Sequence, residues 1–490
     1  MPDLSRLPAD PRSAALGEPF FTPTAATPLP EPRLLHFNTA LAEDLGLEGA
    51  PDQGLLAQLA GNAAVAGYPA LAGVYAGHQF GQWVPRLGDG RALLIAEIRD
   101  RRGQHQELQL KGAGPTPYSR FGDGRAVLRS SVREYLASEA MHALGVPTTR
   151  ALSLVGSPLP VQRETRETAA IVCRVAPSFL RFGHLEYFYY RDQPEALRRL
   201  ADHLLQLHHP ELLERPQPYA AWLAAVVDAT AALMAQWQAL GFCHGVMNTD
   251  NMSLLGLTLD YGPFGFQDGF AAGHICNHSD EGGRYAYDQQ PQVAHWNLSR
   301  LLQASLPLLH EDGEAAVELA TGILNRYPPA YTGAMMNRWR AKFGWQDAHH
   351  GDRELINRFL NLLDREQADF TRAFRALAAL HAEGGEQALR AEIHDHAGLD
   401  AWLGDYRARL RAEQSEDAAR AARLNAVNPL YVLRNHLAQD AITALEQGHS
   451  GPLERLFARL QRPYEAQPGG EADAQAPVRG TPALAISCSS

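Results

Sequence analysis

The hydrophobic pattern changes period partway along the chain. Between 91 and 111 an apolar run, Ala92-Leu93-Leu94-Ile95-Ala96, leads into a polar turn at Arg101-Arg102-Gly103-Gln104. Alternation follows in Glu107-Leu108-Gln109-Leu110-Lys111. This predicts two strands joined as a hairpin. Period two sets Leu108 and Leu110 on one face and Gln109 and Lys111 on the other, so the lysine leaves the core side of its strand. A helix over 131–144 carries Val132, Leu136, Ala140 and Leu144 on one stripe and stops at Gly145 and Pro147. Two further strands, 151–155 and 169–175, complete a small mixed sheet with one helix. After residue 188 helical spacing dominates, over 195–208, 219–240, 296–306, 314–325, 354–380 and 400–424. It is interrupted between Cys243 and Asp268 by a polar loop, a short apolar strand (Met252, Leu254, Leu255, Leu257, Leu259) and a glycine turn.

Around these elements, residues 8–32 read as an extended proline-rich arm and 39–70 as short helices. The expected organisation is an N-terminal segment 1–70, a sheet lobe 71–188, a helical lobe 189–440, and a C-terminal helix and tail 441–490. The stretch 467–482, rich in Gly, Ala, Pro and Glu, reads as mobile. The 490 residues are 45% apolar and 20% charged, an ordinary globular composition. Lys and Arg number 44 against 55 Asp and Glu, a net charge of −11 with no basic block, which argues against nucleic acid or an anionic membrane as partner. Only four cysteines occur, without a C-x-x-C pair, so a reducing compartment, the cytoplasm, is expected. No apolar leader is present, and the best candidate for a membrane span, 222–240, is broken by Asp228. Oligomeric state is left open.

Chemistry enters through an order of parts. Lys111 on a strand is followed by Glu134 on a helix. Much later comes the run His244-Gly245-Val246-Met247-Asn248-Thr249-Asp250-Asn251, and then Asp260-Tyr261-Gly262. A lysine held by a glutamate pairs with nucleotide phosphates, while an Asn amide oxygen and an Asp carboxylate are hard ligands for Mg²⁺. This is the protein-kinase order. One departure decides the chemistry: five residues before Asn251, where a kinase carries its catalytic aspartate, stands Val246, which cannot accept a proton. Asp250 lies beside the metal position instead.

The runs Tyr75-Ala76-Gly77-His78-Gln79-Phe80-Gly81, Gly88-Asp89-Gly90-Arg91 and Leu110 to Arg120, the loop Gly245 to Asn251, and the ending Cys488-Ser489-Ser490 resemble the selenoprotein O (SelO) family over almost the whole chain. The resemblance implies an α+β, kinase-like fold of two lobes, with a small mixed β-sheet lobe, one key helix and a larger helical lobe. It also implies a pseudokinase that acts as a protein adenylyltransferase, binding ATP in a flipped orientation and moving AMP to Ser, Thr or Tyr hydroxyls of proteins. By the same resemblance Gly88, Gly90, Arg91, Lys111, Asp123, Gly124, Arg174 and Arg181 bind nucleotide, with Asp260 among them. Asn251 and Asp260 hold Mg²⁺, or Mn²⁺ in its place. Asp250 is the proton acceptor, Glu134 supports Lys111, and Cys276 and Cys488 are redox candidates that a disulfide would join.

Plainer readings stand beside these. Glu134 follows Ser131 by three residues, which also fits a helix capping box. Lys111 alone reads as a solvated strand-edge lysine, Arg174 equally as a structural ion pair, Asp123 as a turn residue, and Cys276 and Cys488 as separate free thiols. His274-Ile275-Cys276-Asn277-His278 has zinc-type ligands but lacks a fourth at a characteristic spacing, so an ordinary loop is expected. Two rival functions remain: a kinase transferring the γ-phosphate with Asp250 as displaced base, and a non-catalytic, redox-regulated ATP-binding scaffold.

Overall fold

The computed structural model describes residues 3–477 together with Leu484 and Ile486. Twelve strands are present among them: β1 (Phe21–Pro23), β2 (Arg33–Phe37), β3 (Leu71–Gly73), β4 (Gly77–Gln79), β5 (Gln82–Val84), β6 (Ala92–Arg99), β7 (His105–Lys111), β8 (Ala126–Val127), β9 (Arg150–Gln162), β10 (Arg166–Ala176), β11 (Phe242–Cys243) and β12 (Gly265–Phe266). The main sheet has the order β1-β3-β6-β7-β10-β9-β2, with β8 also paired to β10. Its pairings run antiparallel rather than mixed, because its long strands follow one another through tight turns instead of helical crossovers.

The expected hairpin is β6–β7, in a register that sets Ala92 opposite Lys111. The two short strands expected at 151–155 and 169–175 are the middles of β9 and β10, which pair with each other from Arg150–Val175 out to Gln162–Arg166. The proline-rich arm is part of the sheet: β1 pairs with β3 and β2 with β9, one at each edge. Pro23 is tolerated there because an edge strand has one side free of ladder hydrogen bonds.

The face of β7 carrying Gln109 and Lys111 is not solvent-facing. Both residues are buried, as Leu108 and Leu110 are, at 1% and 8% exposure. The Leu128–Ala143 helix packs across β9 and β10 and covers that side. This helix begins a turn earlier than its pattern suggests, so Ser131 lies inside it, its hydroxyl has no partner, and the capping-box reading of Glu134 fails.

The helical half contains the expected helices at Pro194–His208, Pro218–Ala239 and Gly313–Leu324, and one at Gln290–Ala304 that starts before the expected 296. The runs expected over 354–380 and 400–424 are each broken. Gln367 ends Asp352–Glu366 in a left-handed conformation, and Gln414, also left-handed, follows His396–Ala412. Apolar spacing continues across these breaks because both halves face one core, built around Phe343, Phe359, Phe374 and Trp402. A larger core runs without interruption from the sheet into the helices that follow it. Pro218–Ala239 is long and apolar enough to cross a membrane by length and composition, but half of that window is buried among its neighbours. Its Asp228 pairs with Arg326 at 2.6 Å.

Between Asn251 and Asp260 the apolar run forms no regular strand. After a single 3-10 turn, Thr249–Asn251, it is held by isolated bridges of Ser253 to Arg181 and Thr258 to Thr148. Of the stretch 467–482 the described residues end at 477, and these pack against the body of the protein: Asp473 pairs with Arg459 at 2.9 Å, and Gln467 and Ala474 are buried.

One contact seats the β4 segment on the Phe182–Tyr189 helix. Ala76 donates its N–H to the Gly183 carbonyl at 3.0 Å, and a Cβ at 183 would lie 2.0 Å from the Ala76 oxygen. Gly183→Ala should therefore cost about 2–3 kcal/mol of stability, read as a lower thermal midpoint. An unchanged midpoint would mean that the two segments do not meet there.

Candidate active site

The order of strands brings three basic side chains to one carboxylate. Lys111 ends β7, Arg174 sits on β10 opposite Gln109, and Arg181 lies five residues past the end of β10, just ahead of the Phe182–Tyr189 helix. Asp260, from the loop in the helical half, accepts from all three: from Lys111 Nζ at 3.2 Å, from Arg174 at 2.6 Å, and from Arg181. Glu134 lies behind them, 2.8 Å from Lys111 Nζ and 3.1 Å from Arg174. Lys111 is thus a buried, paired lysine and not a solvated edge residue. Arg174 makes ion pairs and lines the cleft as well. Asp260 has φ 58°, a left-handed backbone that a non-glycine residue keeps only where its surroundings hold it.

The two aspartates of the cleft are tuned in opposite directions. Burial alone would raise the pKa of Asp260, but Arg181, Lys111 and Arg174 outweigh it and hold the carboxyl well below its usual range. Asp250 has no cation on its side chain. Burial pushes it up to about 7, and a hydrogen bond from Gln79 Nε2 to its Oδ2 at 3.1 Å opposes only part of that. Its Oδ1 is buried without a hydrogen-bond partner. Its backbone carbonyl accepts from Arg181 at 2.9 Å.

The β4–β5 hairpin fixes the loop around Asp250. The His78 N–H donates to Thr249 Oγ1 at 2.7 Å, that hydroxyl donates to Glu186 at 2.5 Å, and His78 Nδ1 lies 2.6 Å from the other Glu186 oxygen. The Phe80 N–H donates to Asn248 Oδ1 at 3.1 Å. Asn251 Nδ2 donates to the Val246 carbonyl at 3.1 Å, which engages the amide nitrogen and leaves the amide oxygen as the acceptor of this side chain.

All eleven residues expected to bind nucleotide, metal or proton line one cleft of about 560 Å³: Gly88, Gly90, Arg91, Lys111, Asp123, Gly124, Arg174, Arg181, Asp250, Asn251 and Asp260. Glu134 stands behind this lining. The Gly88–Gly90 turn is held by Asp89, whose Oδ2 accepts from the Gly73 N–H at 2.9 Å and whose N–H returns to the Gly73 carbonyl. Gly88 has φ 134°, and a Cβ there would fall 2.5 Å from the Tyr118 ring, so only glycine fits. Asp123 is a turn residue and a cleft residue at once. It accepts from the Arg125 N–H and from both terminal nitrogens of Arg163, and that hydrogen-bonded pair lowers its pKa.

Sequence reasoning assigned no role to Gln79, Asp89, Gln109 or Arg163. The unusual glycine and aromatic content of 73–81 was the one local signal for the hairpin. Cys276 Sγ donates to the Cys243 carbonyl at 3.5 Å, and burial pushes its thiol well above its ordinary pKa. Cys488 lies outside the described residues, and with it the Cys276–Cys488 pairing. Among the described residues, His274, Cys276 and His278 do not gather as metal ligands; Glu97, His105 and Glu107 are the group close enough to do so. Their carboxylates already accept from Ser13, Ala14, Tyr68 and Phe179, and they do not line the cleft.

With this geometry in place, comparison with known proteins is informative. The family model described as protein adenylyltransferase SelO matches residues 3–461. The chain is 56% identical over 490 residues to the protein nucleotidyltransferase YdiU of Methylococcus capsulatus, covering 99% of this chain and 97% of that one. It is 53% identical to the YdiU protein of Paraburkholderia xenovorans (97% and 94% covered) and 52% identical to that of Thioalkalivibrio sulfidiphilus (97% and 97%).

The raised pKa of Asp250 carries a stability consequence. The folded protein holds this proton more tightly than the unfolded chain, whose value is near 3.8, so stability is lost as pH rises from about 4 through about 7. Asp250→Asn removes the ionisation and should stabilise the protein at pH 8 by on the order of 2–4 kcal/mol, with no gain at pH 4. Equal melting of both proteins at pH 8 would contradict this.

Proposed function

Because the chain belongs to the SelO family of protein adenylyltransferases, we propose a division of labour among the cleft residues for transfer of AMP from ATP to protein hydroxyls. Its carrying observation is the convergence of Lys111, Arg174 and Arg181 on Asp260 beside an uncompensated Asp250. In this reading Asp250 takes the proton of a Ser, Thr or Tyr hydroxyl as the hydroxyl oxygen bonds the α-phosphorus. The bond from that phosphorus to pyrophosphate breaks, and AMP stays on the protein. A base with its pKa near the working pH suits the task. Lys111, Arg174 and Arg181 exceed Glu134 and Asp260 by one positive charge. That surplus, with Arg91, would stabilise the departing pyrophosphate.

Adenylyl transfer uses ATP and a divalent metal. We assign Asn251 and Asp260 to hold it as Mg²⁺, with Mn²⁺ the alternative; the donors are all oxygen, as such a hard cation prefers. When bound, the metal would neutralise phosphate charge. Val246 disfavours γ-phosphoryl transfer by the usual kinase route, since its side chain accepts no proton and its carbonyl already serves Asn251. The bound-and-idle alternative leaves the tuning of Asp250 without a use. The redox reading of Cys276 with Cys488 draws support from Ile486, whose carbonyl accepts from the backbone N–H of His278 and from its Nδ1 at 2.8 Å. Cysteine usage supports the cytoplasm as its location.

With Mg²⁺ and ATP labelled separately at the α- and γ-phosphates, protein should retain label from the α-position alone. Asp250→Asn and Asp260→Ala should each lower that labelling by at least about 100-fold. Label from the γ-position would establish a kinase, and undiminished labelling in Asp250→Asn would remove its assigned role. The rate should rise with pH and level off above about 7, where Asp250 is ionised; a profile flat from pH 5.5 to 8.5 would contradict the assignment.

A further inference from the structure

Away from the ATP cleft, a second pocket of about 440 Å³ opens where the N-terminal segment, the β6–β7 turn and the Pro194–His208 helix meet. Arg12, Arg99, His105, His203 and His208 line it together with three glutamines, and no acidic residue does. In a chain of net charge −11 this is a local reversal of sign. Asp10 organises the pocket from behind. Its carboxylate meets Arg12 Nε at 2.7 Å, Arg99 at 3.1 Å and His105 Nδ1 at 3.0 Å, so one carboxylate faces three basic groups. The arginine heads stay about half exposed, at 53% and 43%.

The histidines supply the second observation. The Nε2 atoms of His203 and His208 are buried and have no hydrogen-bond partner, a costly state for a polar atom and one that a bound acceptor would relieve. His105 Nε2 is different: it lies 3.6 Å from Glu97 and is not free for a ligand. The His208 ring stands 6.3 Å from that of His105. Burial, then the positive field of His105 and Arg12, brings the pKa of His203 down to about 4. Burial, then His105 and His203, brings that of His208 down to about 3. Each is therefore a neutral imidazole that still offers one N–H donor within a positive field.

We propose that this pocket is a second binding site, for an oxyanion of the phosphate class. His203 and His208 donate Nε2–H to its oxygens, and Arg12 and Arg99 close over its charge. The volume exceeds that of a single phosphate and falls in the range of small-molecule sites, which suits a di- or polyphosphate group. The ligand is held by donors without internal partners and by two guanidinium groups that share the single carboxylate of Asp10.

The probe is inorganic pyrophosphate labelled with ³²P, added in equilibrium dialysis to the full chain whose ATP cleft is saturated with a non-hydrolysable ATP analogue and its metal. One equivalent of pyrophosphate should still bind. Two variants separate the site from folding defects: His203→Ala with His208→Ala, and the more exposed pair Arg12→Gln with Arg99→Gln. Each pair should weaken binding about tenfold or more, while the arginine pair keeps the wild-type thermal midpoint. Absence of that equivalent, or its retention in both pairs with unchanged affinity, would overturn the proposal. So would one equivalent of Zn²⁺ that needs His203 and His208 in a protein that binds no pyrophosphate under these conditions, which would mark a metal site instead.

Discussion

The carboxylate of Asp260 is the point on which the two halves of this protein turn. Lys111 and Arg174 reach it from the sheet, Arg181 from the segment that leaves the sheet, and Asp260 itself comes from a loop in the helical half. Desolvating three cations is expensive, and the cost is met only if each finds an anion at close range. Glu134 and Asp260 supply two at ion-pair distance, and the buried Asp89 faces Arg181 and Arg174 besides. Such a knot is a poor way to gain stability, since apolar side chains of similar size would cost less to bury. In the proposed mechanism it serves instead as the receptor for a polyphosphate, toward which Lys111, Arg174 and Arg181 line the cleft.

The same burial acts in the opposite sense a few residues away. Asp250 is more deeply buried than Asp260, no cation touches its carboxylate, and its proton is held into the neutral range. Two carboxylates in one cleft, one held ionised and one poised near neutrality, differ by environment alone, and the proposed mechanism uses the second as its proton acceptor. The β4–β5 hairpin maintains the difference. It supplies Gln79 to Asp250 and ties down Asn248 and Thr249 through backbone N–H groups, so the loop is positioned from the sheet half as well as from its own.

Much of the architecture was readable where a single period governs a segment. The β6–β7 hairpin, the helix bearing Glu134 and the helices at 194–208, 218–239 and 313–324 follow from local alternation or 3.6-residue spacing, which needs no partner to be recognised. The breaks at Gln367 and Gln414 were not readable, because apolar spacing continues wherever two helices share one core. The edge strands in the proline-rich arm were invisible for the converse reason: their order comes from pairing with β3 and β9, residues far away in sequence. The plainer reading of Lys111 as a solvated edge lysine fails because a polar face on a strand looks solvated until something charged, here Glu134, is found to cover it.

By itself the amino-acid sequence determined which residue types were available and in what order: a lysine before a glutamate, a valine in place of a catalytic aspartate, an Asp-Asn pair ahead of Asp-Tyr-Gly, all within long runs shared with one family. Those choices set the class of chemistry, because a side chain's ability to donate, accept or carry charge belongs to the residue. The tertiary structure alone decided what each group is under working conditions. Asp250 and Asp260 are the same residue type ten peptide bonds apart in one loop, and their opposite tuning arises from distances to Arg181, Lys111 and Arg174 that no local spacing encodes. Charge state depends on through-space neighbours and on desolvation, and both exist only once the chain has folded.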